Sequence, residues 1–127
     1  MQPDVALLTP LPEEKDALAE ALAGLGHRPQ EFSAGRLACL RFDSLGIVLA
    51  PGGHGKAQFG VQTQHLIENR AFRLIVCAGA AGSLSQDVCV GDVVVATATV
   101  EHDYLLRFAS RRLPEFAGDA ESLQAMR

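Results

Sequence analysis

The chain has 127 residues and a formal charge of −4, with 48% hydrophobic and 20% charged residues. That length fits one domain, 1–127, with enough chain to bury a core. The mild negative charge lacks long runs, which argues against a nucleic-acid backbone or an anionic membrane as partner. No apolar stretch approaches the roughly 20 residues that span a bilayer. No basic segment followed by a long apolar one opens the chain, so no secretory leader is expected. Cys39, Cys77 and Cys89 are odd in number and far apart. They read as small buried residues in a reducing compartment, neither a disulfide set nor a metal site. These features predict a soluble cytoplasmic protein with no cofactor.

Asp4 to Thr9 holds Val-Ala-Leu-Leu, a short buried strand. Pro12 suits the first position of a following helix, and Glu13 and Glu14 suit its dipole. Leu18, Leu22 and Leu25 continue it at offsets of four and three, and Gly24 and Gly26 end it. Counting back four from Leu18 puts Glu14 on the apolar stripe. Two readings of Glu14 stand. In one, an inward carboxylate just beyond a buried strand has its pKa raised by burial and serves acid–base chemistry. In the other, it only stabilises the helix end.

Residues 31–50 read as two strands, Leu37 to Phe42 and Ile47 to Ala50, with Asp43-Ser44-Leu45-Gly46 as a hairpin turn. Pro51-Gly52-Gly53-His54-Gly55-Lys56 then feeds a helix through about Arg70, whose apolar face is Phe59, Thr63, Leu66 and Ile67. A glycine-rich turn at a helix start can hold an anion. This one is neither a Walker A loop nor a dinucleotide fingerprint, because Ala50, Ala57 and Gln58 stand where those motifs need other residues. His54 reads either as a ligand contact or as a solvated loop residue.

Leu74 to Ala78 is an unbroken apolar run, suited to a central strand buried on both faces. It ends in Gly79-Ala80-Ala81-Gly82, where no side chain exceeds a methyl group. Small residues beyond a strand's carboxyl end let a ligand approach the backbone, or simply make a turn. Ser83 to Val90 reads as a polar loop and Val93 to Val100 as a strand. The change from strand–helix–strand to strand–loop–strand predicts a mixed sheet. Glu101-His102-Asp103 alternates faces if extended, so these three residues cannot converge on one metal. Arg107 to Phe116 reads as a surface loop or interface, and Asp119 as the cap of a last helix, Ala120 to Arg127.

Four segments, in order, resemble the nucleoside phosphorylase/nucleosidase superfamily, and within it the 5′-methylthioadenosine/S-adenosylhomocysteine nucleosidases. They are Leu7-Leu8-Thr9-Pro10-Leu11-Pro12-Glu13-Glu14, Gly53-His54-Gly55-Lys56, Val76-Cys77-Ala78-Gly79-Ala80-Ala81-Gly82-Ser83-Leu84, and Val90-Gly91-Asp92-Val93-Val94-Val95 through His102-Asp103. The resemblance implies a three-layer α/β sandwich with a mixed central sheet and hydrolysis of a purine nucleoside's N-glycosidic bond. It implies that Glu14 activates the attacking water and that Gly79, Ala80, Ala81 and Gly82 lie against ribose and purine. Gly53, His54 and Gly55 would lie near the 5′ end of the nucleoside, and a homodimer or larger assembly is expected.

Three departures qualify the likeness. Ala80 replaces the family's serine. His54 replaces an apolar residue, which leaves the 5′ substituent open. Cys77 lies near where the phosphorylases carry an arginine for phosphate, and this favours water as the nucleophile. The family's purine-side aspartate and ribose-binding glutamate belong to the second half of a longer chain, so the resemblance covers an N-terminal portion and the fold is read as truncated. A phosphorylase of the same fold and a non-catalytic nucleoside-binding or dimerisation module are the alternatives.

Overall fold

The computed structural model describes residues 5–104 and 112–126. They form two compact units, Met1–Gly82 and Ser83–Arg127. The first unit runs β1 (Val5–Thr9), α1 (Pro12–Gly24), β2 (Gln30–Ala34), β3 (Leu37–Phe42), β4 (Ile47–Pro51), α2 (Lys56–Asn69) and β5 (Leu74–Cys77). Its sheet has the order β2-β3-β4-β1-β5. β1 pairs in parallel with both β4 and β5. β3 is antiparallel to β2 and β4, so the sheet is mixed. The class is α/β, as the sequence predicts.

β1 is the strand on which the unit is built. Ala6 and Leu8 are fully buried, and they join Ala34, Leu37, Cys39, Val48, Ala50 and Leu66 in one apolar cluster. Alternation puts Ala6 and Leu8 on one face, beside their register partners Val48 and Ala50. Leu66 of α2 closes over that face, with Phe32, Phe59 and Phe72 packed around it. The chain steps from β1 to β4 in one direction, and then from β4 back past β1 to β5. Right-handed crossovers in opposite directions put their helices on opposite faces, so α1 is expected opposite α2.

Four expectations need correction here. Of the three cysteines read as buried, Cys39 is buried, but Cys77 and Cys89 are exposed. Residues 30–51 hold three strands, since the polar run Gln30-Glu31-Phe32-Ser33-Ala34 forms the outer strand β2. Alternating polar residues suit an edge strand with one wet face. β5 is not doubly buried: among the described residues it pairs only with β1, and its exposed residues Ile75 and Cys77 alternate with partly buried ones. Ile67 is 42% exposed, so the buried face of α2 is narrower than its apolar spacing predicts.

In the second unit, β6 (Ala98–Val100) pairs antiparallel with β7 (Glu115–Ala117), and α3 (Ala120–Ala125) follows. The strand expected from Val93 to Val100 thus shrinks to its last three residues, and Val93 is 89% exposed. Asp119 caps α3, its carboxylate accepting from Ser122 N–H at 2.8 Å. Of the basic loop read at Arg107 to Phe116, residues 107–111 lie outside the described residues, and Glu115 and Phe116 belong to β7.

Candidate active site

Three parallel neighbours, β4, β1 and β5, end on the same edge of the sheet. Pairing continues just beyond them: Gly52 N–H donates to Thr9 O at 2.7 Å, and Ala78 N–H donates to Leu8 O at 2.9 Å. Three of the four sequence motifs therefore emerge side by side: Pro10 to Glu14 from β1, Gly52 to Gly55 from β4, and Gly79 to Gly82 from β5. The carboxyl edge of a parallel sheet is where ligands bind in open α/β folds.

Glu14 is the third residue of α1 and partly exposed. Its Oε2 accepts from the N–H of Leu11, the residue that caps the helix, at 2.9 Å. This is the reach-back half of a capping box. Its Oε1 accepts from Ala80 N–H, at 2.7 Å. One carboxylate thus serves both readings, closing the helix end and crossing to the turn after β5. The Ala80 and Leu11 N–H groups, in that order, hold its pKa below the ordinary glutamate value and outweigh the opposing desolvation. This corrects the expected direction: Glu14 is an ionised acceptor at neutral pH, not a carboxyl kept protonated by burial. Each oxygen has one further lone pair for a water or a ligand hydroxyl. Cys77 stands close by, and partial desolvation followed by the Glu14 charge pushes its thiol up.

Gly79 lies against the base of this carboxylate. A Cβ there would sit 2.9 Å from Pro10 Cδ and 3.1 Å from Glu14 Oε1. Ala81 and Gly82 follow, both exposed.

The β4 loop is shaped by its glycines in two ways. Gly53 and Gly55 have φ of 84° and 81°, which L side chains rarely adopt. Gly52 needs room instead, because a Cβ there would clash with the Phe59 ring. Gly52→Ala is therefore expected to displace Phe59 from the core and to cost about 1–3 kcal/mol. A urea midpoint equal to the parent's would contradict this. His54 is exposed, and its N–H donates to Gln58 Oε1 at 3.1 Å. Gly55 is the N-cap of α2.

Direct contact thus joins Glu14, Gly79 and Ala80, while topology places Gly53, His54 and Gly55 on the same edge. Sequence reasoning missed the Leu11 N–H and the Pro10 ring. The first was legible as a cap followed three residues later by glutamate. The second has no local signal. Among the described residues, no group of three or more His, Cys, Asp or Glu is placed to hold a metal ion. No described helix is long and apolar enough to cross a membrane.

An acidic residue between two glycine-bearing turns, at the edge of a mixed α/β sheet, describes a class of small-molecule sites. The phosphorylase superfamily profile matches residues 4–126, and the chain belongs to that family. Over 83 residues it is 36% identical to the 5′-methylthioadenosine/S-adenosylhomocysteine nucleosidase of Mycobacterium bovis, covering 65% of this chain and 31% of that protein. The Neisseria meningitidis nucleosidase of the same name, solved with methylthio-immucillin-A, superposes with a TM-score of 0.75 at 28% identity, covering 97% of this chain and 55% of that one. A futalosine hydrolase mutant of Helicobacter pylori shares the fold, with a TM-score of 0.71 at 23% identity, covering 99% of this chain and 60% of that one. The chain thus spans between about a third and three fifths of the length of these relatives.

Proposed function

We propose that the protein hydrolyses the N-glycosidic bond of a purine nucleoside of the 5′-methylthioadenosine/S-adenosylhomocysteine type, releasing adenine. The observation that carries this reading is the Glu14 carboxylate, held ionised by Ala80 N–H at 2.7 Å and Leu11 N–H at 2.9 Å on the carboxyl edge of three parallel strands. An ionised, oriented carboxylate accepts a proton from water as the water attacks the anomeric carbon, where the ribose gains oxocarbenium character, while the C–N bond breaks and its electron pair leaves with the purine, which takes a proton from solvent. The two N–H donors fix the carboxylate before substrate arrives, so little reorganisation is needed on reaction.

In this reading Gly79, Ala80, Ala81 and Gly82 face ribose and purine, and Gly53, His54 and Gly55 face the 5′ substituent. A histidine there suits a more polar substituent than methylthio, so futalosine belongs among the substrates tested. The protein acts as a homodimer or larger assembly in the cytoplasm. Val61 and Ile67 on α2, 57% and 42% exposed, support the assembly.

The test offers 5′-methylthioadenosine, S-adenosylhomocysteine and futalosine separately in phosphate-free buffer and separates the products by chromatography. Free base from at least one nucleoside is expected. A sugar 1-phosphate formed only when phosphate is added would make the protein a phosphorylase. The alternative is a non-catalytic nucleoside-binding module of the same fold. That reading expects nucleoside binding to survive Glu14→Gln, with no base released by either form.

A further inference from the structure

Gly79 has no positive φ, unlike Gly53 and Gly55, so its backbone conformation is open to other residues. What excludes a side chain is space. A Cβ at Gly79 would meet Pro10 Cδ at 2.9 Å, Glu14 Oε1 at 3.1 Å and Pro10 Cγ at 3.2 Å. Two of these three neighbours belong to a proline ring, which cannot swing aside as a flexible chain end can. Pro10 itself sits between two fixed points. Thr9, before it, is 2% exposed, with its carbonyl bonded to Gly52 N–H at 2.7 Å. Leu11, after it, donates to Glu14. The next residue after Gly79 is Ala80, whose N–H makes the 2.7 Å bond to Glu14.

We propose that Pro10 and Gly79 form a steric latch that sets the distance from Ala80 N–H to the Glu14 carboxylate. Pro10 is a positioning residue: its ring fills the space that a Gly79 Cβ would need and fixes how closely the turn after β5 approaches α1. Gly79 is required here for its missing Cβ. The catalytic consequence rests on Glu14 directing water, but the geometry does not.

The latch makes a prediction that ordinary destabilisation does not share, namely reciprocal rescue. Gly79→Ala alone pushes the turn away from the ring and stretches the Ala80–Glu14 bond. Removing the ring as well, in Pro10→Ala/Gly79→Ala, deletes both proline contacts and lets the turn return.

The experiment follows the Glu14 carboxyl carbon by NMR through a pH titration of the 13C-labelled 127-residue chain, assigned with Glu14→Gln, together with the Ala80 amide shift. In Gly79→Ala the Glu14 midpoint is expected to move up, because the Ala80 bond is the largest cause of its lowering. In the double variant the midpoint is expected to move back toward the parent's. An unmoved midpoint in Gly79→Ala, or a double variant no closer to the parent than the single one, would overturn the latch. If Gly79→Ala does not fold, folding of the double variant with a lowered midpoint is the same rescue, and failure of both overturns it. Because the titration needs no turnover, a chain that rescues but cleaves nothing tells against the proposed hydrolysis and not against the latch.

Discussion

Glu14→Gln is expected to slow base release by about 10²–10⁴-fold, the usual range for loss of a positioned general base. The glutamine has nearly the same shape, and its one carbonyl oxygen can still accept a backbone N–H. Its amide nitrogen cannot accept from the second donor, and neither end can take a proton from water. Binding of nucleoside should change far less than turnover, since the turn at Gly79 to Gly82 and the loop at Gly53 to Gly55 are untouched. Single-turnover kinetics separate the two, and a rate within tenfold of the parent's would remove Glu14 from the mechanism. The same substitution has a pH signature in stability. Glu14 has a lowered pKa in the folded chain, so its stabilising contribution is complete above the unfolded-state value and disappears as pH falls through the folded-state value. Urea melts across the acid range should therefore show the parent losing stability that Glu14→Gln does not lose.

Leu8→Ala is expected to cost about 2–5 kcal/mol, a large share of the roughly 5–15 kcal/mol that holds a domain of ordinary stability. Leu8 is fully buried in the strand that pairs with both parallel neighbours. Its side chain lies in the cluster with Val48, Ala50 and Leu66, so truncation leaves a cavity bounded by sheet and helix. Its carbonyl also holds Ala78, one residue before Gly79, so the loss should reach the site. A lower urea midpoint with an unchanged slope is the expected result. A loss below about 1 kcal/mol would mean that the site collapses around the smaller side chain.

Local periodicity made much of this legible. The apolar residues of β1, the proline and glutamates opening α1, the β3–β4 hairpin and the glycine loop feeding α2 all sit where their spacing places them. β2 was hidden because an edge strand with alternating polar residues looks like a loop. β5 and Val93 to Val95 misled in the opposite direction: their composition fits two-sided burial, and the described residues cover them on one side or hardly at all. At the site, stripe geometry picked out Glu14, but the sign of its pKa shift was not readable. Desolvation follows from helix position alone, whereas the Ala80 donor is 66 residues away in sequence. Only the sheet order, with β5 returning beside β1, brings that amide to the carboxylate. The Pro10–Gly79 contact arises from the same long-range pairing, which leaves no mark on either local pattern.

The most direct test of the account is base release from 5′-methylthioadenosine in ¹⁸O-labelled water, with and without inorganic phosphate, by the parent chain and by Glu14→Gln. The parent is expected to release adenine equally in both buffers, with the label on the freed sugar, and Glu14→Gln to release almost none. Release that requires phosphate and leaves the sugar unlabelled, or no release by the parent under either condition, would contradict it.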